Sequence, residues 1–209
     1  MDLQVSKGIS QTIRDQRRDR ILQVAREVFF EEGFSAATMS TIAARLGGSK
    51  ATLYAYFKNK EDLFDAIIAD QCSVIESMLM LEAEGADIHA TLTALGRELV
   101  TAMCSDQAVR TFQLIIEESR RNPELARRFD QAGPKVGSER LGGYLATCHA
   151  KGDICAPDPV HAAGVFFNLM KGELHFRRLL GLEPEPSAET VEKEVATAVA
   201  TFLRAYAPR

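Results

Sequence analysis

The chain has 209 residues, 46% of them hydrophobic, which is enough for a sizeable core in one or two compact units. Cys72, Cys104, Cys148 and Cys155 follow no CxxC spacing and the start lacks a signal-peptide apolar run, so a reducing cytoplasm is the expected home; charges interrupt every apolar stretch before the roughly 18–20 residues a bilayer requires, so no membrane partner is expected. The net charge of −4 is unevenly divided: residues 1–60 carry ten Lys and Arg against six acids, net +4, and the remainder fifteen against twenty-three, net −8, so overall acidity does not exclude a polyanionic partner for the first part.

In chain order, residues 1–13 mix Gly, Ser and Lys without periodicity and read as a mobile tail. Helical spacing begins near Arg14: Ile21, Ala25, Val28, Phe29 and Glu32 share a stripe, Arg17, Arg20 and Glu27 lie off it, and Gly33 supplies the stop. Thr38 can cap a short second helix with Ile42, Ala43 and Leu46 inward; Gly47 and Gly48 break it; Ser49 can cap a third that turns Leu53 and Phe57 to the core. After Asn59, Glu61 and Asp62 place negative charge in the first turn of a long fourth helix, and Leu63, Phe64, Ile67 and Ile68 continue its apolar pattern past Met78. Further helices are expected over Asp87 to Met103 and Gln107 to Arg121, after Pro123, and from Gly133-Pro134 to near Gly152. Asp158 and Pro159 start one that reaches Leu180 ahead of Gly181, Glu183 to Pro186 form a loop, and Ser187 caps a last helix ending before Pro208. No segment sustains strand alternation, so the fold class is all-α with about nine helices, divided into the tail 1–13, a module 14–60 and a larger helical body 61–209.

The segment from about Thr38 to Tyr56 joins two short helices through the tight Gly47-Gly48-Ser49 turn, the arrangement that lets a second helix enter the major groove of DNA. Ser49, Lys50, Thr52, Tyr54 and Tyr56 offer hydroxyl and ammonium donors, and Leu53 and Phe57 anchor the helix from behind. An ordinary αα-hairpin with a solvated face has the same spacing, so geometry alone leaves both readings open.

The order of residues is more specific. Ala25 to Phe29, Gly33-Phe34, Thr38, Ile42-Ala43, then Thr52-Leu53-Tyr54-Ala55-Tyr56-Phe57-Lys58-Asn59-Lys60-Glu61-Asp62-Leu63 resembles the signature of the TetR/AcrR family of transcriptional regulators over roughly Arg14 to Asp70. The stretch Gln113 to Leu182 resembles the AefR-like subgroup. The resemblance implies a three-helix DNA-binding domain, a linking fourth helix, and a helical domain for dimerisation and effector binding. By position it assigns DNA contacts to Thr38, Ser40, Gly48, Ser49, Lys50, Thr52, Tyr54 and Tyr56, with Lys60 on a phosphate. Lys50 and Thr52 are the candidates for base edges; Thr38, Tyr54, Tyr56 and Lys60 would hold phosphates. The family commonly has Ala-Gly-Val where this chain has Leu46-Gly47-Gly48, and Gly where it has Ala51, so operator sequence does not transfer by analogy.

The resemblance implies a homodimeric repressor on double-stranded, two-fold operator DNA, released by a small apolar or amphipathic effector, and it places the dimer interface on the last two long helices. Candidates there are Val165, Phe166, Leu169, Met170, Leu174, Val195, Val199, Phe202 and Leu203, residues that would equally serve the intrachain core. Candidate effector contacts are Met103, Phe112, Ile116, Tyr144, Cys148, Phe167, Met170 and His175, each also readable as plain packing.

Cys148, His149, Cys155 and His161 lack a spacing that reliably gathers four metal ligands, and Lys151 is the only cation near either cysteine in sequence that could favour a sensor thiolate. Phosphate loops, nucleophile elbows and HExxH are missing, and Glu117-Glu118 reads as a solvated face rather than a catalytic dyad. No catalytic residue, metal or cofactor is expected.

Overall fold

The computed structural model describes the backbone of residues 2–81 and 87–208 and the side chains of residues 14–71 and 87–208. The described residues form ten helices and no strand: α1 (Asp2–Glu32), α2 (Met39–Leu46), α3 (Lys50–Tyr54), α4 (Lys60–Leu81), α5 (Ile88–Cys104), α6 (Asp106–Ser119), α7 (Pro123–Ala132), α8 (Pro134–Lys151), α9 (Pro159–Leu179) and α10 (Ala188–Ala205). Each segment read as helical above has its counterpart, ten where the total was put at about nine, and Gly133, outside helical φ/ψ, closes α7 before Pro134 opens α8. The backbone of α1 starts at Asp2, ahead of the periodicity at Arg14; the side chains of the expected tail 1–13 lie outside the described residues.

Local chemistry sets the helix ends. The hydroxyls of Thr38, Ser49, Ser105 and Ser187 and the carboxylates of Asp87 and Asp158 each accept a backbone N–H from the first turn of the helix that follows, supplying partners for donors that no upstream carbonyl can reach. Asn59 does the same for α4 through Asp62 N at 2.7 Å. Gly33 ends α1 at φ 77°, where an L side chain is strained, and a Cβ built there would lie 2.9 Å from Glu118 Oε1.

Two apolar cores hold the helices. The first gathers Ile21, Leu22, Val28, Phe29, Phe34, Ile42, Leu53, Leu63, Phe64 and Ile68 of the N-terminal helices and loops, but also Leu114 and Ile115 of α6 and Leu125 of α7. Phe34 lies at its centre, 5.2 Å from Phe29 and 5.4 Å from Phe64 between ring centroids. The second is built by α5, α8, α9 and α10 around Leu95, Leu141, Leu145, Phe166, Val195, Val199 and Phe202. Packing therefore crosses the boundary at residue 60 that the pattern suggested, because α6 and α7 turn apolar residues into the first core.

The sequence reads α9 as one uninterrupted helix, and here the structure differs. Gly172, at φ 49° and ψ −161°, breaks it into two segments, a backbone conformation close to exclusive to glycine. Beyond the break, the buried Arg178 donates to Cys104 O at 3.0 Å, Glu183 O at 2.7 Å and Asp106 Oδ1 at 2.5 Å, tying α9 to the junction of α5 and α6.

Candidate nucleic-acid interface and effector cavity

The turn between α2 and α3 runs through Gly47, in the left-handed region at φ 67°, to the cap Ser49. Ile42, Ala43, Leu53 and Phe57 are buried behind it. Ser40, Gly48, Ser49, Lys50 and Tyr54 are exposed on one continuous stretch, Tyr54 by 52%, with Thr52 and Tyr56 half-buried. From α1, Arg14 lies over the Tyr56 ring at 6.0 Å and Arg18 over Phe57 at the same distance, so cationic side chains border α3.

Two of the expected contacts have local employment. The Thr38 hydroxyl accepts from Thr41 N at 3.1 Å and the Ser49 hydroxyl from Thr52 N at 3.2 Å, so both act first as helix caps. Lys60 differs more sharply from its expected role. Its Nζ donates to the carbonyls of Phe34 at 2.7 Å, Ser35 at 3.1 Å and Ala37 at 3.2 Å and sits 4.6 Å from the Phe34 ring centroid. An ammonium has three N–H donors, and all three are committed to the loop between α1 and α2. Lys58, two residues earlier and exposed, is the cation left facing out at this edge; the family pattern drew attention to Lys60, and nothing in the spacing separates the two.

The same loop is held from the other side by α6. Glu118 is buried, and its carboxylate accepts from Ser35 N at 3.2 Å and from the Ser35 hydroxyl at 2.5 Å. Pattern reading gives Glu118 to solvent together with Glu117; it is instead 8% exposed, because α6 lies along α1 with that face inward. The contact repeats up both helices: Arg26 bonds the Gln107 side chain, and Arg110 sits 4.5 Å from the centroid of the Phe30 ring. Residues 26, 30 and 35 thus meet residues 107, 110 and 118 in order, a seam between the helix-turn-helix module and the body.

At the upper end of this seam lies a cavity of about 460 Å³. Asp70 and Gln71 of α4, Leu99 and Met103 of α5, Gln107 and Phe112 of α6, Phe129 of α7, Ser138 of α8 and Phe167, Asn168 and Lys171 of α9 line it. Of the expected effector contacts, Met103, Phe112 and Phe167 line the cavity. His175 is buried behind Phe112, its ring centroid 5.0 Å from that of the phenyl ring, and burial together with the nearby Lys171 charge lowers its pKa. Cys148 and Met170 belong to the second core and Tyr144 packs against it, whereas Ile116, one turn beyond Phe112 on α6, is 59% exposed and does not line the cavity. The polar liners escaped the sequence reading because they sit on four different helices, and only the fold brings them to one wall.

The apolar stripes assigned to a dimer interface divide in two. Phe166, Met170, Val195, Val199 and Phe202 are closed inside the chain's own second core and have no area to give a second copy. Val165, Leu169, Leu174 and Leu203 are half-buried at its margin. The strongest apolar stripe of a helix faces whatever core it meets first, and here that is its own.

Among the described residues no three His, Cys, Asp or Glu side chains gather as metal ligands; His149 Nδ1 lies 3.2 Å from Ile154 O and His161 is exposed. Cys104 and Cys148 are buried, and burial pushes the Cys104 thiol up to about 11 despite the Arg178 charge. No helix among the described residues is long and apolar enough to cross a membrane.

Comparison with known proteins agrees with this geometry. Residues 21–67 match the family model for bacterial regulatory proteins of the tetR family, and residues 90–208 match that for the AefR-like transcriptional repressor C-terminal domain. An HTH-type transcriptional repressor of Mycobacterium tuberculosis, Rv3405c, is 30% identical over 139 residues, 66% of this chain and 70% of that protein. Among solved structures, a TetR-family regulator from Mesorhizobium loti is similar with a TM-score of 0.77 at 25% identity, covering 92% of this chain and 97% of that one. The flavonoid-responsive regulator FrrA is similar with a TM-score of 0.73 at 34% identity, covering 93% and 99%. With an exposed helix-turn-helix, a helical body and matches to both halves, the chain belongs to the tetR family of DNA-binding transcriptional regulators.

Proposed function

We propose that the protein is a homodimeric repressor that binds a palindromic operator in the major groove and is released by a small apolar or amphipathic effector in the cavity beside α6. The observation that carries this reading is the seam: the helix that contributes Gln107 and Phe112 to the cavity also holds, through Glu118, the loop that leads into α2. An occupant competing with Arg26 for Gln107 or Asp70, or displacing Phe112, shifts α6 against α1 and changes the pose of the reading head. By linkage, an occupant that prefers the shifted pose lowers operator affinity.

On the DNA side, Lys50 and Thr52 meet base edges, and Ser40, Gly48, Ser49, Tyr54, Tyr56 and the α2 start at Thr38 meet the backbone, with Lys58 taking the phosphate in place of Lys60. The dimer forms across α9 and α10 through Val165, Leu169, Leu174 and Leu203. Repression as the sign of regulation is supported by the name of the mycobacterial relative, and response to a small organic molecule by that of the flavonoid-responsive one.

The test is salt-dependent retention of a DNA fragment from upstream of the chain's own coding region, followed by mapping of genomic fragments bound by the protein. Specific retention that weakens with salt, on sites with two-fold symmetry, is expected. Retention equal for all sequences at moderate salt overturns the reading.

A further inference from the structure

The cavity walls define a chemical class for its occupant, an inference that rests on the regulator reading above. Phe112, Phe129 and Phe167 come from three different helices and present aromatic surface on several sides. Phe112 is itself fixed edge-on against Phe129, at 5.1 Å between centroids, and against His175 at 5.0 Å, so these rings form a connected and rigid set. The volume, about 460 Å³, has room for on the order of fifteen water-sized groups, which is two or three rings.

Charge is distributed unequally over the same walls. Among the described residues Asp70 is the carboxylate that lines the cavity, and the Arg26 guanidinium stands 3.7 Å from it. Lys171 is the lining ammonium, and among the described residues it has no hydrogen bond or ion pair. It is also the last residue before the α9 break at Gly172, so the backbone that presents it does not continue as helix. A half-buried cation without a partner beside aromatic walls has its N–H donors free for a charge-assisted bond to an anion from outside. Gln71, Ser138 and Asn168 add neutral polar atoms able to position further oxygens.

We propose that the effector is a flat aromatic monoanion of two or three rings, its rings among Phe112, Phe129 and Phe167 and its charge on Lys171. The ammonium distinguishes the anion from a neutral ring system of the same shape, and the phenyl walls distinguish it from an aliphatic acid of the same charge.

The test uses the full chain and four probes at pH 7.5: 2-naphthoate, its neutral isostere 2-naphthamide, the cation 2-naphthylmethylammonium, and decanoate. The chain contains no tryptophan, so naphthyl fluorescence reads binding of the three naphthyl probes without an indole background, and decanoate is read by calorimetry. The expected result is that 2-naphthoate binds at least tenfold more tightly than each of the other three, that Lys171→Met erases the preference over 2-naphthamide, and that Lys171→Arg retains it. Equal binding of 2-naphthoate and 2-naphthamide, tighter binding of decanoate, an unchanged preference in a folded Lys171→Met protein, or binding of none of the four overturns the proposal. If Lys171→Met fails to fold, the wild-type series and Lys171→Arg decide. DNA retention separates this from the regulator reading: specific retention without naphthoate binding strikes only the effector class, and naphthoate binding without specific retention strikes the regulator.

Discussion

Lys60 shows how a residue of the right type in the right place can be committed elsewhere. A cation at the start of α4 is well placed for a phosphate, yet its donors are taken by three carbonyls of the α1–α2 loop. Lys60→Met is therefore expected to lower stability by about 1.5–3 kcal/mol, the range for hydrogen bonds to a charged group, and to leave the salt slope of DNA binding nearly unchanged at temperatures where the variant is folded. Lys58→Ala is expected to leave the melting temperature alone and to reduce that slope by about one. Thermal melts and retention at several salt concentrations measure both. His175 supplies a second prediction at this scale. Burial favours its neutral form in the folded state, so between its lowered folded pKa and the ordinary value near 6.5 the unfolded chain binds more protons. Its contribution is present above that ordinary value and is lost as pH falls through the folded pKa. Melts taken from pH 7.5 to 5 should show the decline, and His175→Phe should flatten it.

At the scale of elements, the α1–α6 seam is the feature with a functional consequence. Glu118→Gln keeps the shape and can still accept from Ser35, but it removes the charge from both bonds; Glu118→Ala removes the contact altogether. Both variants are expected to bind DNA while their response to an effector falls, at least threefold for Gln and more for Ala. The readout is the ratio of DNA affinities with and without a releasing compound. A ratio unchanged in Glu118→Ala would remove the seam from the mechanism. Helix order and caps were legible in the sequence because Thr38, Ser49, Asp158 and Ser187 act within three residues of themselves, and the apolar periods around them are strong. The helix-turn-helix was legible for a different reason, the order of residues from Thr38 to Leu63, since its spacing alone also fits an αα-hairpin. Glu118 and the polar cavity wall were not, since Glu118 finds Ser35 across 83 residues and nothing local distinguishes it from Glu117 beside it. The break at Gly172 was hidden too: a glycine inside a helical pattern is compatible with continuing the helix, and only the backbone reveals the conformation adopted.

For the whole molecule, the second core limits what a dimer can use. With Phe166, Val195, Val199 and Phe202 already enclosed, the proposed dimer would have to pair through Val165, Leu169, Leu174 and Leu203. Leu169→Asp and Leu203→Asp should weaken self-association at least tenfold, seen by light scattering across a dilution series, with the helical signal retained. Operator affinity should fall with the dimer, because one reading head contacts only half of a two-fold site. The first core sets another limit. Leu114, Ile115 and Leu125 of the body close over the helix-turn-helix module, so one apolar core runs across residue 60. Chimeras made by joining residues 1–60 to another regulator's body would separate Phe34 from Phe64 and lose the Glu118 carboxylate that Ser35 needs. Exchange of operator specificity between relatives should succeed when only the outward residues of α2 and α3 are transplanted, and fail when the whole module is.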